Sequence, residues 1–60
     1  MNKEKVEKIL GESIQKDGSL NSTGWYLCWN VGDDNATLDG IFDVDDLEAI
    51  AWWINNNQNK

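Results

Sequence analysis

The chain has no histidine and a single cysteine, Cys28. Without His, Cys28 has no imidazole beside it to make a nucleophile. One Cys also excludes an intramolecular disulfide. No apolar run approaches the ~20 residues that a membrane-spanning helix needs. Residues 2–8 alternate in charge, and no apolar run has the length of an export-signal core. These absences lead us to expect a protein of the reducing cytosol with no membrane contact. The N-x-[ST] matches at Asn21 and Asn35 are then chance. No Lys or Arg occurs between Lys16 and Lys60. Phosphate contacts need those side chains, so direct nucleic-acid binding is not expected.

What the chain does have is concentrated. Gly24 to Ile54 holds all four Trp, the Tyr, the Phe and seven of the eleven acidic residues. Residues 1–17 balance four Lys against four acids, so residues 18–60 supply the whole net charge of −6. Sixty residues make one domain, expected to span 1–60. A chain of that length buries only about 60% of its unfolded surface. Large aromatics are one way to gain apolar area from so few residues.

Residues 2–16 read as a helix. Val6, Ile9, Leu10, Ser13 and Ile14 recur at i, i+3, i+4, i+7 and i+8 and make one apolar stripe. Gly11 weakens its middle, and Gly18 stands where a left-handed residue ends a helix. Residues 19–24 have loop composition. A strand over 24–31 puts Trp25, Leu27, Trp29 and Val31 on one face and Tyr26, Cys28 and Asn30 on the other. Gly32–Asn35 reads as a turn, followed by a second strand over 36–42. A four-residue loop pairs Val31 with Ala36, Trp29 with Leu38, Leu27 with Gly40 and Trp25 with Phe42. A two-residue shift of the partner keeps the same parity. A second helix over 44–56 starts at an Asp43 N-cap with Asp46 at N3, and its expected buried stripe is Val44, Leu47, Ile50, Ala51 and Ile54. The expected class is α+β: an α-β-β-α domain whose two-stranded antiparallel hairpin packs on two helices. Free edges on both strands, with Tyr26, Cys28 and Ile41 on the outer face, make a homodimer an expected partner state.

Two site readings arise from the acidic segment. In the first, Asp33 and Asp34 on the turn, Asp39 on the strand, and Asp45 and Glu48 on the helix contact a basic protein surface. Trp52, adjacent to Trp53 on the helix and therefore turned away from it, anchors that contact. The same carboxylates also suit turns, caps and solubility. In the alternative, Asn35-x-Thr37-x-Asp39-Gly40-x-Phe42-Asp43-x-x-Asp46 resembles the calcium half-loop of dockerin and EF-hand proteins. That resemblance implies Asn35, Thr37, Asp39, Asp43 and Asp46 as ligands. Asn35 replaces the usual Asp at position 1, Thr37 is a poor ligand at position 3, and the second segment of a dockerin has no counterpart. The first reading needs no cofactor, and nothing in the sequence places two carboxylates across a pocket for catalysis.

As a whole, the chain resembles the small acidic proteins encoded by phages and prophages, among them anti-CRISPR and other host-takeover proteins. Its length, its single acidic domain, the αββα layout and Gly24-Trp25-Tyr26-Leu27-Cys28-Trp29 carry the resemblance. It implies a non-enzymatic inhibitor or adaptor in the host cytoplasm, engaging a basic surface of a host protein.

Overall fold

A computed structural model of the protein describes residues 1–22 and 26–58. Helix α1 (Lys3–Leu10) is capped by Asn2, whose side-chain oxygen accepts the Lys5 amide at 2.8 Å. It is shorter than its apolar stripe. Gly11 adopts φ 50°, closes the helix with its amide on the Glu7 carbonyl, and opens a short 3-10 turn over Gly11–Ser13. The stripe continues through that turn, so Ser13 is buried and Ile14 packs at the edge of the core. Gly11, and not Gly18, is therefore the helix terminator.

Gly18 serves a different turn. The backbone reverses over Gln15–Gly18, with the Gly18 amide on the Gln15 carbonyl at 3.0 Å. Asp17 braces it by accepting both the Ser19 hydroxyl at 2.6 Å and the Ser19 amide at 2.9 Å. Those two bonds, the hydroxyl first, hold the exposed Asp17 carboxyl below its usual pKa. The ionised form thus supports the turn, and that support fades as pH falls through the lowered value. The reversal sends the chain back as strand β1 (Leu20–Ser22), in a segment expected to be loop. A bridge between Ile14 and Leu20 flanks it.

The sheet has three antiparallel strands in the order β1, β2 (Leu27–Trp29) and β3 (Thr37–Leu38). Leu20 pairs with Trp29 and Ser22 with Leu27 on one side of β2, and Leu27 pairs with Leu38 on the other. The expected hairpin is present with its parity intact, but its register differs by two residues. The tight turn falls earlier, at Asn30–Asp33, with the Asp33 amide on the Asn30 carbonyl and Gly32 at φ 97°. Val31 belongs to that turn and not to the strand. The Asp39 amide, on the Tyr26 carbonyl at 3.0 Å, extends the observed register. Trp25 and its expected pairing with Phe42 lie outside the described residues.

Helix α2 (Val44–Asn56) begins as expected. The Asp46 amide donates to Asp43 Oδ1 at 2.9 Å and the Asp43 amide to Asp46 Oδ2 at 3.4 Å, a complete capping box. Both helices cover one face of the sheet, which makes a small α+β domain. The core joins Val6 and Leu10 of α1, Leu20, Leu27 and Trp29 of the sheet, and Ala49, Ile50 and Trp53 of α2. The opposite sheet face carries Asn21, the half-buried Cys28 and Thr37.

The rotation of α2 differs from expectation. Ala49, Ile50 and Trp53 are buried, whereas Val44 is 67% and Leu47 44% exposed. Trp53 accounts for the choice: its ring fills the core, and its indole N–H donates to the Gly18 carbonyl at 2.7 Å. A large side chain that satisfies its polar tip while burying its ring outweighs two smaller aliphatics left in water.

Trp29 is fully buried at the junction of all these elements. Trp29→Ala is expected to cost about 3–5 kcal/mol. A chain of this length has roughly 3–9 kcal/mol of stability in total. Thermal melting followed by circular dichroism should therefore show the variant largely unfolded at 37 °C. A melt superimposable on the parent would contradict the core described here.

Candidate functional site

The acidic residues take their positions from the hairpin and from the start of α2. Asp33, Asp34, Asp39, Asp43, Asp45 and Glu48 are exposed, and Asp46 is half-buried beside its cap. Asp33 is fixed through its backbone: its carbonyl accepts the Trp29 indole N–H at 3.0 Å and the Gln58 side-chain amide Nε2–H at 2.9 Å. The turn bearing Asp33 and Asp34 is thus tied both to the core and to the end of α2. Asp39 follows β3 directly, and Asp43, Asp45 and Asp46 crowd the amino end of α2, where the helix dipole favours negative charge.

The named contact residues do not form one patch around Trp52. Asp45 turns toward α1 and shares a depression of about 480 Å³ with Lys5, Lys8 and Ile9. Trp52 is half-buried, packs against the core, and shares a smaller depression with Lys3 and Trp53. Both lie on the lysine-bearing side of α2. Asp34 lies on the other side, in the wall of a groove of about 340 Å³ between β3 and α2. Leu38, Leu47, Ile50, Ala51 and Ile54 line that groove.

These apolar groove residues escaped the sequence reading because it assigned most of them to the core. The signal was available. At about 100° per residue, Val44, Leu47, Ala51 and Ile54 mark one side of α2 and Ala49, Ile50 and Trp53 another. A helix of a small two-layer domain buries only one such side, so the second is left for solvent or a partner.

The hairpin does not have two free edges. β1 occupies the outer edge of β2, and the Ile14 bridge in turn flanks β1. Among the described residues the edges of the sheet are β1, bridged to Ile14 at Leu20, and β3, two residues long.

The calcium half-loop does not fit this backbone. A loop that wraps a cation must bring its alternate side chains to one point. Here Thr37 sits in an extended strand paired with Cys28, while Asp43 and Asp46 are engaged with each other's amides. Among the described residues, no three carboxylates, His or Cys come together as a metal-binding group.

No protein-family model, no curated protein and no solved structure matches the chain.

Millimolar Ca²⁺ is expected to leave Trp fluorescence and the melting temperature unchanged. Ligand at a hundred times its Kd would stabilise the fold by about 2.7 kcal/mol, which a melt resolves readily. An EDTA-reversible rise in Tm would reinstate the half-loop.

Proposed function

We propose that the protein is a non-enzymatic acidic binding module of the phage-encoded, host-takeover kind. Its carboxylate-bearing face engages a basic surface on a host protein, for example one that otherwise holds nucleic acid. The observation that carries this reading is the one-sided charge. Seven carboxylates and no cation lie between residues 18 and 58, and six of the seven are exposed. They stand on a capped helix and a braced turn, so their spacing is held by the fold.

A rigid surface of one sign attracts its opposite over roughly the Debye length, about 8 Å at physiological salt. Such a surface raises association rates and makes them salt-dependent, while packed apolar contacts set dissociation. Asp33, Asp34 and Asp39 supply the field from the hairpin, and Glu48 supplies it from the surface of α2 between Val44 and Asp45. Asp45 and Trp52 contribute at the margin where α1 meets α2.

The test compares the parent with a variant in which Asp33, Asp34, Asp45 and Glu48 are all replaced by Lys. The parent, immobilised, should capture a defined set of bacterial proteins at low salt and release them at high salt. The variant should retain the melting behaviour of a folded domain and lose that set. Equal capture of the same proteins by both would show that the charge serves solubility alone.

A further inference from the structure

Helix α2 has more apolar surface than its own core uses. Leu47 is 44% exposed and Leu38, facing it across the groove, 41% exposed. Val44 extends the same side of the helix at 67% exposure. We propose that the groove between α2 and β3 is a docking site for a basic amphipathic helix of a partner protein. That helix carries an apolar stripe at i, i+3, i+4 and i+7, flanked by Lys or Arg. The proposal rests on the acidic-binding reading and supplies its apolar half.

Three features select this occupant. The first is the shape of the wall. Leu47, Ile50, Ala51 and Ile54 stand at i, i+3, i+4 and i+7, the ridge that packs between the ridges of a second helix. Ala36 and Ala51 keep the groove open between the larger Leu and Ile side chains.

The second is the shortness of β3. An extended peptide binds a sheet edge through backbone hydrogen bonds, and Thr37–Leu38 offers too few of them. Affinity must come instead from side chains laid into the groove, which is how a helix binds.

The third is charge. Asp34 stands in the groove wall and Asp39 follows β3. Asp43 caps α2 next to Val44, and Glu48 is one helical turn from both Val44 and Ala51. Among the described residues every cation belongs to residues 3–16, and Lys5 and Lys8 sit with Asp45 on the α1 side. A helix flanked by Lys or Arg therefore meets opposite charge along the groove. A second copy would bring −6 against −6, and an acidic helix would be repelled in the same way.

The experiment uses the full chain and three synthetic helical peptides of about fourteen residues, ~21 Å long when helical. One has a Leu stripe with Lys elsewhere. One has the same stripe with Glu in place of Lys. One has the Leu/Lys composition with the stripe scrambled. Binding is read by amide chemical shifts and by calorimetry. The Leu/Lys stripe should bind with micromolar Kd and shift residues 36–38 and 47–54. The other two peptides, and the Leu47→Gln and Ala51→Lys variants with the first peptide, should each bind at least about tenfold more weakly. Both variants replace exposed side chains, so their melting temperatures should match the parent.

Equal binding of the Glu peptide or of the scrambled peptide overturns the proposal. So does full affinity in Leu47→Gln, or shifts confined to the α1 side. A dimer in sedimentation of the chain alone, lost in Leu47→Gln, would give the groove to a second copy and overturn it too. If the charge-reversed variant loses its host proteins while Leu47→Gln keeps them, the groove fails and the acidic reading stands. If salt and charge reversal change neither capture nor peptide affinity, the acidic reading itself fails.

Discussion

Everything in this small domain is arranged around the indole of Trp29. The ring sits with no solvent exposure between the sheet and the two helices, and its N–H reaches the Asp33 carbonyl. A buried Trp must place its polar tip as well as its ring. Here that requirement shapes the β2–β3 connection: the chain must turn soon enough after Trp29 to return a carbonyl to it. Gln58 donates to the same carbonyl, so the hairpin turn, the core and the end of α2 meet at one backbone oxygen.

The second constraint is how little a chain of sixty residues can enclose. Two helices on one face of a three-stranded sheet leave room for eight buried apolar side chains among the described residues. Two of the largest are Trp, and each finds a carbonyl for its N–H. Accommodating both decides how α2 lies, and the aliphatic side of that helix is left facing outward. The exposed groove is thus the counterpart of the packing that holds the domain together. Its acidic setting comes from both ends of α2: Asp34 of the hairpin connection stands beside Ile54 and Asn55 near the carboxyl end, and the capping carboxylates crowd the amino end.

Features governed by neighbouring residues were legible in the sequence. The Asp43–Asp46 capping box, the parity of the hairpin and the α+β class were all read correctly from local pattern. Features set by competition between distant groups were not. Gly18 looked like the helix stop and Gly11 only a weak point in the helix middle, whereas the helix ends at Gly11 and Gly18 serves the turn that returns the chain to β1. Strand β1 itself, Leu20-Asn21-Ser22, has turn-like composition and becomes a strand because β2 offers it an edge. The hairpin register slipped by two because parity cannot count loop residues. In α2, periodicity marked an apolar stripe but could not weigh it against a Trp whose partner, Gly18, lies 35 residues away.

That separation has a kinetic and entropic side. The three strands form a meander of near neighbours, whereas the Trp53–Gly18 link closes a loop of 35 residues. By chain statistics, such a closure costs roughly 1.5 kcal/mol more than closing one of about six residues. One net hydrogen bond, about 1 kcal/mol, does not cover the difference. The area of the indole ring must carry it, and the hydrogen bond then selects which way the ring lies. Docking α2 is accordingly the step of highest contact order in this chain, and Trp53 is the side chain on which it turns.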